Sequence, residues 1–196
     1  MKEKLEEIRD LLIVVDMVNG FVREGALHSK RVEGIIPRIE NLVNQYLDED
    51  AAVAFVKDTH DPGAREFKRF PVHCLRGTSE AELVDELKKY EHMALVYEKN
   101  STSAIFPGEL LEDIRKMKNL KRVVITGCCT DICVMNLVIP LQCYFDQYNR
   151  DVDIIVPEDA IETYDADYHN AEEYINMTRK FFNQSGVQLV KTFERK

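Results

Sequence analysis

KRVVITGCCTDICV, residues 121–134, reads as a short β-branched run that stops at Gly127 and passes directly into a segment of helical character. Val123, Val124 and Ile125 are consecutive rather than alternating with polar residues, the pattern of a strand covered on both faces. Five other runs of this kind lie along the chain: LLIVVD (11–16), AAVAFVKD (51–58), MALVYEK (93–99), VDIIVP (152–157) and VQLVK (187–191). Stretches of helical period separate them. Ile36, Ile39, Val43 and Tyr46/Leu47 form one apolar stripe, and Leu110, Leu111, Ile114 and Met117 another. Ile175, Phe181 and Phe182 suggest a last long helix, closed by Ser185-Gly186. SEAE (79–82) has the form of a capping box and predicts a helix carrying Leu83 and Leu87. Residues 130–147 are expected to be helical too, with Pro140 kinking or interrupting them. Six strands joined by helical crossovers make an α/β protein: three α-β-α layers around a six-stranded, mostly parallel, Rossmann-like sheet. With no repeat, linker or low-complexity tract, residues 1–196 read as a single domain.

Composition narrows the classes of function. At 45% hydrophobic and 31% charged residues the chain is an ordinary globular protein and not a disordered one. A net charge of −9 argues against nucleic-acid and membrane-surface roles, both of which need a basic face. The opening MKEKLEEIRD is unlike a signal peptide, and the longest apolar runs fall far short of the ~20 residues of a membrane helix. A cytoplasmic location is expected. Five cysteines, an odd number, suit a reducing compartment, with any special cysteine serving as a reactive thiol.

Ligands of open parallel sheets bind beyond the carboxyl ends of the strands. Asp16 ends the first run, Asp58 the second with Thr59 and His60 after it, Lys99 the third, and the cysteine cluster 128–133 follows the fourth. Each alone has a bland explanation: a cap, a solvated lysine, a buried cysteine. Four successive strands ending this way point to a site. Cys133 would stand in the first turn of a helix, where backbone amides and the helix dipole depress a thiol's pKa and can stabilise an oxyanion. A nearby aspartate can take the thiol proton and return it to a leaving amine, and a lysine can hold both in place. Asp58-x-His60 has the look of a metal-binding pair, and the irregular stretch 59–78 is long enough to be a functional loop.

These residues resemble the isochorismatase-like cysteine hydrolases, which include the nicotinamidases. VITGCCTDICV (124–134) is similar to the nucleophile segment, VVDMVNGF (14–21) to the first-strand motif and EKNSTSAIF (98–106) to the segment with the catalytic lysine. The resemblance implies Cys133 as nucleophile, Asp16 as proton-transfer carboxylate and Lys99 as its partner. It also implies a cis peptide before Cys129, with the Cys129 and Cys133 amides as oxyanion donors. KDTHDPGAREFKRFPVHC (57–74) resembles the nicotinamidase branch, which implies a metal held by Asp58, His60 and His73, with Glu66 at a fourth position. That donor set suits zinc first, with manganese or iron(II) as alternatives. Phe21 and Phe70 become candidates to pack the substrate ring. Phe70 stands where many nicotinamidases have a tryptophan, a residue this chain lacks altogether. The implied activity is hydrolysis of nicotinamide to nicotinate and ammonia through a thioester on Cys133, by a homo-oligomer. Two alternatives stay open: a related hydrolase of another small amide, carbamoyl or ureido, and a ligand-binding member without catalysis.

Overall fold

The six apolar runs form strands of one parallel sheet in a computed structural model that describes residues 2–48 and 50–195. They are β1 (Asp10–Val15), β2 (Ala51–Asp58), β3 (Leu95–Lys99), β4 (Arg122–Cys128), β5 (Asp153–Pro157) and, near the end of the chain, β7 (Gln188–Val190). The sheet order is β3-β2-β1-β4-β5-β7, and every pairing is parallel. From β1 the chain winds outward through β2 and β3, then returns to the other side of β1 with β4. The reversal of direction therefore lies between β1 and β4, where such sheets place their ligands. A seventh strand of two residues, β6 (Ile161–Glu162), extends the far end of β4 by pairing with Gly127 and Cys128. It is too short to leave a periodic signal in the sequence.

The helices are α1 (Asn19–Val22), α2 (Lys30–Glu33), α3 (Ile36–Gln45), α4 (Asp85–Lys88), α5 (Glu109–Lys116), α6 (Met135–Gln147) and α7 (Ala171–Gln184). Because side chains alternate across a strand, β1 feeds two cores at once. Leu11, Ile13 and Val15 pack with Leu110 and Ile114 of α5, Leu137 and Leu141 of α6 and Phe182 of α7. Leu12 and Val14 pack with Ile39, Leu42 and Val43 of α3 and with Leu83 and Leu87. Those two apolar layers on either side of the sheet are the three-layer arrangement expected, and burying each such side chain contributes about 1.5–3 kcal/mol. Among the described residues no helix is long and apolar enough to cross a membrane.

One local expectation is corrected, and two others gain detail. The capping-box sequence 79–82 makes only a 3-10 turn, Ser79–Ala81, because its parts are used elsewhere. The Glu80 carboxylate accepts from the Cys74 amide (2.9 Å), and the Glu82 carbonyl accepts from the Asn19 amide (2.9 Å), which draws residues 82–83 out beside Val18. Phe181 is 46% exposed; the core face of α7 runs through Ile175, Thr178 and Phe182 instead. Pro140 lies inside α6 without ending it. Proline offers no N–H to the carbonyl four residues back, that of Asn136, and the Ser103 hydroxyl donates to this carbonyl at 2.9 Å. The other predicted helix stop holds: Ser185 ends α7 and Gly186 follows at φ 80°.

Candidate active site

Four neighbouring strand tips deliver polar groups to one hollow. Asp58 and Lys99 are register partners at the ends of β2 and β3, and the lysine Nζ lies 2.7 Å from Asp58 Oδ1. The side chain then continues past β2 toward β1, reaching Asp16 Oδ2 at 2.8 Å. Strands sit ~4.8 Å apart, so only a long side chain lying along the sheet end can join carboxylates on two successive neighbours. Asp16 follows β1 directly, in the left-handed region at φ 54°. From the β4 side, Cys133 Sγ comes within 3.6 Å of Lys99 Nζ.

The approach of β4 to β1 at this level depends on Gly127. Its φ is 108°, and a Cβ there would lie 2.0 Å from the Val15 carbonyl oxygen. One residue on, the Cys128 thiol donates to the Asp16 carbonyl at 3.2 Å, and the Cys128–Cys129 peptide is cis, as the resemblance implied. The segment Thr130–Val134 is a π-helical turn rather than the first turn of an α-helix. The Ile132 and Val134 amides both return to the Cys129 carbonyl, at 3.1 Å each.

Electrostatics follow from burial, since Asp16, Asp58 and Lys99 are all at most 2% exposed. Burial pushes the Asp16 carboxyl up to about 6, against the pull of the Lys99 ammonium, and the negative charge of Asp58 adds to the rise. For Asp58, burial is outweighed by the Lys99 ammonium, and its pKa falls well below the usual carboxylate range. Lys99, flanked by two carboxylates, stays charged despite its burial. Cys133 departs from expectation: burial raises its thiol well above the ordinary value, more than Lys99 lowers it, and Asp16 and Asp58 raise it further. The resting group is a thiol. A buried sulfur beside two carboxylates loses more solvation as an anion than one turn of amides returns.

Behind Asp58 the imidazoles of His60 and His73 meet. Their Nε2 atoms are 3.1 Å apart, and each lies 3.1 Å from Asp58 Oδ2. The partners of the other ring nitrogens settle the tautomers. His73 Nδ1 is 2.8 Å from the Pro71 carbonyl, which only accepts, and His60 Nδ1 is 2.9 Å from Asn100 Oδ1, which also faces the Asp61 amide. Both Nδ1 atoms therefore carry a proton, and the two Nε2 atoms, facing each other at 3.1 Å, cannot both carry one as well. With an Asp58 oxygen they turn toward one point, and one carboxylate with two imidazoles fits a divalent transition metal. Glu66 flanks this group, with Oε2 3.6 Å from His60 Nε2, while its Oε1 accepts from the Thr102 amide at 2.9 Å.

A cavity of about 190 Å³ opens over both clusters, and Cys133, Cys129, Asp58, Glu66 and His73 reach its lining together with Phe21 and Phe70. Drug-sized ligands occupy ~300–1,000 Å³, so this hollow suits a small molecule. Phe21 and Phe70 both lie against His73, with ring centres 5.6 and 6.3 Å away. Leu27, Ile132, Tyr164 and Tyr168 add walls that the sequence did not announce, because isolated apolar and tyrosine residues in loops and a single turn carry no periodic signal. Asn100, next to Lys99, was likewise missed, although its place just after a strand tip was a signal of the kind that found its neighbours.

Residues 10–188 match the sequence profile of the isochorismatase domain. The chain belongs to the isochorismatase family. Nicotinamidase 1 of Arabidopsis thaliana is 32% identical over 142 residues, covering 65% of this chain and 57% of that protein. This chain thus spans little more than half of that relative. An uncharacterized isochorismatase family protein of Bacillus subtilis, PncA, is 30% identical over 193 residues, 93% of this chain and 99% of its own length. Among solved structures, a pyrazinamidase/nicotinamidase from Streptococcus mutans superposes with a TM-score of 0.77 at 26% identity, covering 92% of this chain and 99% of that one. N-carbamoylsarcosine amidase from Thermoplasma acidophilum shares the fold at a TM-score of 0.75 and 24% identity, over 96% and 99% of the two chains. The six-stranded parallel sheet with flanking helices is common to this isochorismatase-family hydrolase and those structures.

Proposed function

We propose that this isochorismatase-family chain is a metal-dependent cysteine amidohydrolase that converts nicotinamide to nicotinate and ammonia. One observation carries the reading: the thiol of Cys133, bracketed by Lys99 and Asp16, borders the same small, aromatic-walled cavity as Asp58 and His73 of the Asp58, His60 and His73 cluster. Likeness to relatives named nicotinamidase supports the substrate.

Asp16, ionised above about pH 6, takes the Cys133 proton as the sulfur attacks the carboxamide carbon. The amides of Cys129 and Cys133 receive the developing oxyanion, each such donor contributing ~3 kcal/mol. The tetrahedral adduct breaks its C–N bond, Asp16 returns the proton, and ammonia leaves a thioester on Cys133. A water gives its proton to Asp16 and attacks the thioester; nicotinate departs and the sulfur regains the proton. Lys99 holds the two carboxylates in place throughout, 2.8 Å from one and 2.7 Å from the other. Asp58, His60 and His73, with Glu66 beside them, would hold a divalent cation, which would supply a Lewis acid for the ring nitrogen. Phe21 and Phe70 flank the ring.

Ammonia release from nicotinamide, followed with zinc, manganese or iron(II) added, tests the substrate. Turnover by the wild type and none by Cys133→Ala is expected. A ureido or carbamoyl substrate turned over much faster than nicotinamide would move the chain to another amide. No turnover of any amide, with Cys133 inert to alkylation at neutral pH, would make it a binding protein.

A further inference from the structure

Beside the site lies a second buried ion-pair geometry that the proposed chemistry leaves unused. His169, 4% exposed, has its Nε2 2.9 Å from Asp131 Oδ2 and its Nδ1 3.0 Å from the Tyr164 carbonyl. A carbonyl and a carboxylate are both acceptors, so the ring satisfies both contacts only when both nitrogens carry protons. Its faces agree with a cation: the ring is stacked between Tyr164 and Tyr174, with centres 4.0 and 3.9 Å away and planes tilted by 15° and 21°. Asp131 is fully engaged, its other oxygen accepting from the Thr163 hydroxyl at 2.6 Å.

The two ends of this contact belong to different parts of the site. Asp131 lies in the π-helical turn that carries Cys133, two residues away. Tyr164 and Tyr168 form a wall of the cavity, and their loop is tied back on itself where Ala166 and His169 exchange backbone hydrogen bonds at 3.0 and 2.9 Å. We propose that His169 is a positioning residue, an imidazolium clamp that fixes the nucleophile turn against the tyrosine wall and so sets the distance between the thiol and the bound substrate. The inference rests on the amidohydrolase reading for its consequence in turnover, and on geometry alone for the clamp.

The test uses the full-length, metal-loaded protein. Nitrogen-15 shifts of His169 in the wild type should show both ring nitrogens protonated at neutral pH; one bare nitrogen would overturn the clamp. His169→Phe keeps a ring between the tyrosines and removes both hydrogen bonds. Asp131→Asn keeps the shape of the turn and removes its charge, and serves if the first variant does not fold. Both should slow alkylation of Cys133 by iodoacetamide at least tenfold, read peptide by peptide. For nicotinamide, His169→Phe should lower kcat and raise KM together, whereas Thr163→Val, which loosens only the Asp131 end, should lower kcat with KM unchanged. Folded variants with wild-type Cys133 alkylation overturn the proposal, as does a change in KM without one in kcat. If wild type ignores nicotinamide, the nitrogen shifts and the alkylation rates still decide the clamp, so the two failures are distinguishable.

Discussion

At the residue scale, the proposed mechanism makes Asp16 set the pH dependence. Burial lifts its carboxyl to about 6, so in the folded protein the proton leaves near pH 6 rather than near the ordinary value of 3.8. The base form is needed to take the Cys133 proton, and kcat/KM should therefore be half-maximal near pH 6 and fall about tenfold per unit below it. A pH–rate profile with its acidic limb near pH 4 would remove the premise. Asp16→Asn should lose roughly 10²–10⁴-fold in kcat at neutral pH, since it keeps the shape and lacks the base. Asp16, Lys99 and Cys133 could be singled out from sequence because chemistry-bearing residues stood at the ends of apolar runs. The protonation state of Cys133 could not, because it depends on burial and on two carboxylates from strands distant in the chain.

At the scale of elements, Gly127 and Ser103 hold the frame. Gly127→Ala puts a methyl group 2.0 Å from the Val15 carbonyl oxygen at φ 108°, where β4 and β1 must stay in register. A loss of about 3 kcal/mol or more in urea unfolding, or failure to fold, is expected. Ser103→Ala strips the donor from the carbonyl that Pro140 leaves without one, and should cost about 1 kcal/mol in the same measurement. The six strands were legible because continuous apolar runs are a local property. The helix expected from the capping-box residues 79–82 was not formed, because Cys74, a little upstream, took up its carboxylate and Asn19, far away in sequence, took up a carbonyl. Pro140 stays inside α6, and the side chain that answers its missing bond comes from a loop 37 residues earlier.

For the whole molecule, a cation that bridges the end of β2 to the loop carrying His73 should couple metal binding to stability. At free metal one hundredfold above Kd the stabilisation is about 2.7 kcal/mol, or roughly 5–10 °C in Tm for a chain of this size. Chelation should lower Tm by that amount, with metal analysis showing one equivalent lost; His73→Ala should show no chelator effect. An unchanged Tm in the wild type after the metal is stripped would disprove the coupling.

Apolar runs and helical stripes dictated the sheet, its layers and the polar residues at its strand tips, because short-range periodicity decides which faces must be buried. Tertiary structure alone decided that β3, β2, β1 and β4 stand side by side, so that one lysine spans two carboxylates and meets a thiol. It also decided the tautomers of His60 and His73 and the link from His169 to the turn that carries Cys133. Hydrogen-bond partners and dielectric surroundings are contributed by chain segments far apart in sequence, and they exist only once the chain has closed on itself.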